Sequence, residues 1–266
     1  MTSKISGATK IFGIIADPIQ HVQTPQAFND LLLTRGVDGV LVPLHISKDD
    51  FAACIDGLRR VRNLGGLIVT VPHKVRMIGM CDEVTERARR IEAVNVVRRE
   101  DDGRLVADML DGEGFVSGLR LGGIEPAGKR IYLAGAGGAA NAIAFALAEA
   151  RVSHLTVANR TTSKAQELCA RIREYHPDLR VDVGTNVPYG HDLLVNATSL
   201  GLRTSDPLPF DVSRLAPSSI VAEIIMKPAE TPLMAVARSK GCLVHPGLPM
   251  LQSQIALLAD FLKVGQ

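Results

Sequence analysis

The sequence is short of several things, and each shortage removes a class of protein. It has four cysteines, Cys54, Cys81, Cys169 and Cys242, far apart and without a C-x-x-C pair. A disulfide framework or a zinc site is therefore not expected, and reduced thiols in the cytoplasm are the simpler reading. Net charge is only +2. The basic residues are scattered, and clusters such as Arg59-Arg60 and Arg87 to Arg90 read as solvated helix faces, not as a nucleic-acid surface. The first residues, Met1 to Gly7, contain no apolar signal core. No clean long apolar run exists either. Ile131 to Ala148 is free of charge and long enough to suggest a membrane span, but Gly135, Gly137 and Gly138 interrupt its first half. A strand, a tight turn and a helix explain it better, so no membrane association is expected. What remains, 266 residues at 46% apolar and 22% charged, is the composition of a soluble globular protein with room for two modest domains.

Strand-like and helix-like runs alternate almost throughout. Ile11–Ile15, Val40–Leu44, Leu67–Val71 and Ala93–Val97 read as strands in the first part. Helical spacing appears at Ala27, Leu31 and Leu32, and again at Phe51, Cys54, Ile55 and Leu58. After Lys129 the strands are Ile131–Ala134, Leu155–Ala158, Leu193–Asn196 and Ile220–Ile225, with helices at Ala139–Ala150, Ser163–Tyr175 and Pro232–Ser239. The pattern predicts a two-domain α/β protein whose mostly parallel sheets are covered on both faces. The glycine-rich stretch from Gly122 to Gly128 is a candidate junction. Met250 to Leu262 predicts a last helix that returns to the first domain.

The strongest local motif runs from Ile131 to Asn141, where an apolar strand meets Gly135-Ala136-Gly137-Gly138-Ala139 and passes straight into a helix. Glycines allow a sharp turn and let a pyrophosphate approach the helix N-terminus, whose unpaired N–H groups favour anions. This predicts a Rossmann-type dinucleotide-binding domain. Such domains commonly place a carboxylate after the next strand to bind the ribose 2′-hydroxyl. Here that position reads Asn159-Arg160-Thr161, followed by Lys164, with no acid. A guanidinium fork and hydroxyls suit a 2′-phosphate, so NADP is predicted over NAD. The same turn can also cap the helix that begins near Ser163.

In the first half, Val69-Thr70-Val71-Pro72-His73-Lys74 ends a strand, because Pro72 cannot continue one. Strand ends of this kind face the ligand crevice in open α/β sheets. This motif, Ala93-Val94-Asn95, Asp111-Gly112 with Gly114-Phe115, the glycine turn, Asn159-Arg160-Thr161, Val195 to Gly201, and Gly247 to Leu251 with Gln254 occur in the order and approximate spacing of shikimate dehydrogenases. The chain resembles that family over nearly its whole length. The resemblance implies residues 1–112 as a substrate domain, with 249–266 packing back on it, and residues 113–248 as the NADP domain. It implies Lys74 and Asp111 as the catalytic pair beside the hydroxyl that is oxidised, and Thr70, Asn95 and Gln254 as partners of the other ring hydroxyls. It also marks Val22, Thr24 and Met226 as substrate positions and Gly247 as a cofactor position. His73 is not a catalytic position of the family and reads as loop support. No metal is implied, and a monomer or homodimer is expected.

The departures from the family pattern cluster. The usual His-Ser-x-Ser-Pro loop is His21-Val22-Gln23-Thr24-Pro25, an Asn is replaced by Ile68, and Asn-Thr-Asp becomes Met109-Leu110-Asp111. The Tyr before x-Pro becomes Met226, and Glu92 and Val96 replace Gly and Thr. The two serines and the tyrosine are the groups that hold the shikimate carboxylate in the family. A charge-assisted hydrogen bond is worth roughly 1.5–3 kcal/mol, so losing two weakens carboxylate binding by about 10² to 10⁴. A cyclic hydroxy acid or polyol other than shikimate, less polar at one end, is one expectation. The other keeps the carboxylate and gives it His21, Gln23 or Lys227 as partners. Quinate or aminoshikimate chemistry, a reductase resembling methylene-tetrahydrofolate dehydrogenase, and a non-catalytic NADP-binding regulator are the remaining alternatives.

Overall fold

The computed structural model describes residues 5–20 and 22–265; His21, weighed above as a carboxylate partner, lies outside them. The chain divides into two compact units, one formed by residues up to Leu110 together with those from Gln254 on, the other by Asp111–Ser253. The glycine-rich stretch from Gly122 to Gly128 is therefore not the junction. It joins a helix to a strand inside the second unit.

The first unit holds a six-stranded sheet ordered β2-β1-β3-β5-β6-β4. Its strands are β1 (Lys10–Ala16), β2 (Gly39–His45), β3 (Leu64–Val69), β4 (Glu83–Val84), β5 (Val96–Arg99) and β6 (Leu105–Asp108). β1 pairs in parallel with β2 and β3, whereas β5 runs antiparallel to β3 and β6, so this sheet is mixed. β2 is an edge strand, which is why it tolerates Pro43 opposite Ile14. Helices α1 (Thr24–Thr34) and α2 (Phe51–Leu58) cover the predicted periodic runs, and α3 (Glu86–Ile91) is capped by Thr85, whose side chain accepts from Ala88 N–H. Phe12, Phe28, Leu32, Leu41, Phe51 and Ile55 form the buried core with the sheet. Two strand boundaries differ from the sequence reading. β3 stops at Val69, ahead of a cis Val71–Pro72 bond. Ala93–Asn95 lies outside β5, and Val94 N–H donates to Lys74 O at 3.0 Å instead of to a neighbouring strand.

The second unit is the predicted doubly wound sheet. Its order is β12-β11-β10-β7-β8-β9, and every pairing is parallel. The strands are β7 (Arg130–Ala134), β8 (His154–Ala158), β9 (Arg180–Val183), β10 (Leu193–Asn196), β11 (Ile220–Glu223) and β12 (Leu243–His245). Helices α4 (Asp111–Leu121), α5 (Gly138–Glu149), α6 (Thr162–Tyr175) and α7 (Pro232–Ser239) complete it, and α8 (Leu248–Phe261) begins here and ends in the first unit. The charge-free run that invited a membrane reading is β7, its turn and α5. The buried residues of α5, Ala140, Ala142, Ile143, Ala144, Phe145 and Leu147 among them, are all apolar, as expected of a helix packed into a core. Among the described residues no helix is long and apolar enough to cross a membrane.

Candidate active site

In the first unit Thr70 directly follows the carboxyl end of β3, beside that of β1. Thr70 N–H donates to Ile15 O at 3.0 Å, and Asp17 N–H donates to Val71 O at 3.1 Å, which ties the two strand ends together. The following turn is closed by His73 N–H to Thr70 O at 2.9 Å, and Lys74 is fixed through its carbonyl, which accepts from Val94 N–H at 3.0 Å. Lys74 is half-buried between exposed Val71 and Val75. Asn95 is buried. Its carbonyl takes Val69 N–H at 2.7 Å, and its Oδ1 takes Leu110 N–H at 2.8 Å. One residue thus joins the Thr70 strand to the segment that leads into Asp111.

His73 supports this loop, as expected. Its Nε2 donates to Ile46 O at 2.8 Å and its ring stacks on Phe51 at 4.6 Å. Burial pushes its pKa below the usual histidine value, so the imidazole is neutral and the proton sits on the nitrogen that faces the carbonyl. At the start of α1, Thr24 is buried and Val22 half-buried. The hydroxyls of Thr24 and Thr70 have no partner among the described residues, which leaves both for a ligand. Ile68 is inside β3, in register with Ile14 and Val96. Gln254 is buried on α8.

The second unit carries the candidate cofactor residues. Gly135 has φ +120°, and a Cβ there would lie 2.7 Å from Ala197 O, so no side chain fits. Gly137 is the N-cap of α5 and faces open space, with no heavy atom within 4 Å of a built Cβ. Ala136, Gly138 and Ala139 are half-buried around it. This is a cradle of backbone N–H groups with no acidic residue in the helix's first turn, the electrostatics a pyrophosphate needs. After β8, Asn159 Nδ2 donates to Thr161 O at 2.9 Å and shapes the turn. Thr161 is the N-cap of α6, yet its side chain makes no capping hydrogen bond. The capping role considered from the sequence is not used. Arg160, Thr161 and Lys164 are exposed, and the two cations have no side-chain partner among the described residues. The residues present fit a dinucleotide with a 2′-phosphate.

Asp111 opens α4 and is buried, a favourable place for a carboxylate beside unpaired helix N–H groups. Gly247 packs so closely that a Cβ would meet Ile225 O at 2.5 Å, and Met226 is half-buried in the segment before a cis Lys227–Pro228 bond. Two charged residues here went unremarked in the sequence. Asp108, buried at the end of β6, accepts from Thr85 Oγ1, from Arg87 and from Met109 N–H. Glu223, fully buried at the end of β11, accepts from Asn196, Ile224, Ile225 and Thr231. An acid inside an apolar run was the only sequence signal for either.

Known proteins share this arrangement. A family model described as the shikimate dehydrogenase substrate binding domain matches residues 14–97, and one described as shikimate / quinate 5-dehydrogenase matches residues 121–199. An NADP(+) shikimate dehydrogenase of Acidiphilium cryptum is 38% identical over 250 residues, covering 94% of this chain and 89% of that protein. Among solved structures, shikimate 5-dehydrogenase from Thermus thermophilus in complex with NADP(H) and shikimate superposes with a TM-score of 0.86 at 30% identity, covering 96% and 93% of the two chains. The ligand-free 5-ketofructose reductase of Gluconobacter sp. strain CHM43 gives 0.84 at 29%, covering 97% and 96%. With the strand-end lysine loop in one unit, the glycine cradle in the other and matches of this extent across both, the chain belongs to the shikimate dehydrogenase family.

Proposed function

We propose that the protein is an NADP-dependent oxidoreductase that moves hydride between the nicotinamide and a ring hydroxyl or ketone of shikimate or a related cyclic hydroxy compound. The observation that carries this reading is the loop 70–74, which fixes Lys74 in one tight turn with Thr70, whose hydroxyl has no partner among the described residues. When bound, NADP⁺ supplies the hydride acceptor. The chain's own task is to orient the alcohol and manage its proton. Lys74 as a neutral amine takes that proton, and as an ammonium it polarises the ketone in reverse. Asp111 is its proposed partner and orienter. Thr70, Asn95 and Gln254 hold the remaining hydroxyls, and Arg160, Thr161 and Lys164 bind the 2′-phosphate. Four free cysteines support a reducing compartment, the cytoplasm.

The carboxylate end supports two readings. An uncapped α1 N-terminus, where Gln23 makes no side-chain cap, and the available Thr24 hydroxyl favour an anionic ring such as shikimate. Val22 and Met226 favour a substrate without that charge, and the likeness to a 5-ketofructose reductase agrees, since a ketosugar has no carboxylate. The deciding assay is NADPH formation with shikimate at saturating NADP⁺, beside ketosugar reduction by NADPH, each with a Lys74→Ala control. Rapid shikimate turnover abolished by the substitution supports the first reading and removes the second. Ketosugar reduction with negligible shikimate turnover does the opposite. Turnover that survives Lys74→Ala overturns the role given to the lysine.

A further inference from the structure

Glu223 is 0% exposed at the carboxyl end of β11. Its Oε1 accepts from the N–H groups of Ile224 and Ile225 at 2.9 and 3.1 Å, and from Asn196 Nδ2 at 3.1 Å. Its Oε2 accepts from Asn196 Nδ2 at 2.9 Å and Thr231 Oγ1 at 3.0 Å. A carboxylate offers about four lone-pair sites, so its acceptor capacity is filled by donors from three segments. Asn196 carries the tie further. Its Nδ2 reaches Leu200 O at 2.9 Å, and its Oδ1 accepts from Thr198 N–H and Oγ1 at 3.1 and 2.7 Å. The segment after β10, the segment after β11 and the first turn of α7 are thus gathered on one buried charge, and no cation pairs with it among the described residues.

The sheet order says what these segments serve. In this topology a dinucleotide lies across the switch point, with the glycine turn after β7 and the ribose-reading turn after β8 taking the adenosine half. The segments after β10 and β11 are left to the nicotinamide half. Gly247, pressed against Ile224 and Ile225, belongs to the same wall. We infer that Glu223 is a positioning residue for the nicotinamide half of the cofactor site. It holds Ile224–Met226 and Asn196–Leu200 in place through hydrogen bonds that only a carboxylate can accept together. The inference rests on the NADP reading above.

The test compares two ligands on the full-length protein by titration calorimetry: NADP⁺, and 2′,5′-ADP, which fills the adenosine half alone. Glu223→Gln turns an N–H₂ toward donors that need an acceptor and should raise the Kd for NADP⁺ by about 10- to 100-fold. The Kd for 2′,5′-ADP should move less than about twofold, since additivity holds for distant sites. Thr231→Val, which removes the donor to Glu223 together with the α7 cap on Met234 N–H, should raise the NADP⁺ value about 3- to 10-fold, and Thr231→Ser, which keeps both, should restore it. This milder pair keeps the test alive if Glu223→Gln does not fold. Equal weakening of both ligands, or of neither, overturns the inference, because a merely structural carboxylate would not discriminate between the halves. A wild type that binds NADP⁺ no more tightly than 2′,5′-ADP also overturns it. A wild type that binds neither overturns the NADP reading itself.

Discussion

Gly112→Ala isolates the seating of α4, because a Cβ at this position would lie 2.2 Å from Ala142 O and 2.7 Å from Ala146 Cβ. The backbone of Gly112 is not left-handed, so the substitution adds no dihedral strain and the whole effect is packing. The obstacle is a helix carbonyl, which cannot rotate away as a flexible side chain could. Restoring ordinary contact requires α4 and α5 to part locally by roughly 1 Å in a close-packed interior. Overpacking typically costs about 1–3 kcal/mol, and a rigid neighbour puts this case near the upper end. At about 2–4 °C per kcal/mol for a chain of this size, Tm should fall by roughly 6–12 °C. Since Asp111 immediately precedes the shifted residue, kcat should fall as well, beyond what the unfolded fraction explains. Gly137→Ala is the control: its Cβ enters open space, so Tm should hold while the Kd for NADP⁺ rises. A Gly112→Ala protein that melts within about 1 °C of wild type would refute the argument, because it would mean that α4 does not press on α5 as described.

Arg160→Ala should lower the NADP⁺ over NAD⁺ preference in kcat/KM about tenfold, the lower end for a charge-assisted bond because the side chain is exposed; an unchanged ratio would remove the loop from 2′-phosphate recognition. Val22→Ser with Met226→Tyr should raise kcat/KM for shikimate by about 10² to 10⁴, and no gain would mean the carboxylate is held elsewhere. His73, His191 and His245 all sit below the ordinary histidine value, in each case chiefly through burial. The unfolded chain protonates them first, so the stability they contribute is intact above about pH 6.5 and is lost as pH falls through the lowered native values. Urea midpoints should therefore drop between about pH 7 and pH 5, and a flat profile would contradict the burial argument. Arg151 holds a left-handed φ of 58°; Arg151→Gly relieves strain but loosens the unfolded chain, for a net gain of about 0.5 kcal/mol in urea melts, and any loss would show that the side chain supports the turn.

The parts that were readable in the sequence are those with local causes. A proline shortly after an apolar run marks the loop that follows β3, glycines after an apolar run mark the turn from β7 into α5, and Pro232 starts α7. The parts that were not readable depend on distant partners. By propensity, Gly112, Gly114 and Gly118 argue against the helix α4, yet the close approach of α5 and of Pro249 demands glycine at 112 and 118. Ala93–Asn95 looks like strand by composition, but Asn95 is a junction whose bonds reach Val69, Asp108 and Leu110. Ile220–Ile225 reads as one strand, and β11 ends at Glu223 because the next two N–H groups turn onto its carboxylate. Glu223 becomes a hub only after β10 and α7 are brought beside β11. No window of neighbouring residues contains that information.

The second sheet also acts as a ruler. Between β8, which is followed by the Asn159–Thr161 turn, and β11, which leads into the Met226 segment, lie β7 and β10. Three inter-strand steps set these two turns roughly 14 Å apart. At that spacing, substitutions that share no partner combine within about 0.3–0.5 kcal/mol of simple addition. Effects at Arg160 and at Met226 should therefore multiply in kcat/KM with little crosstalk. On the proposed roles of Arg160 and Met226, the choice of coenzyme and the choice of ring can be altered one at a time, in the laboratory or by natural divergence, without first repairing the other.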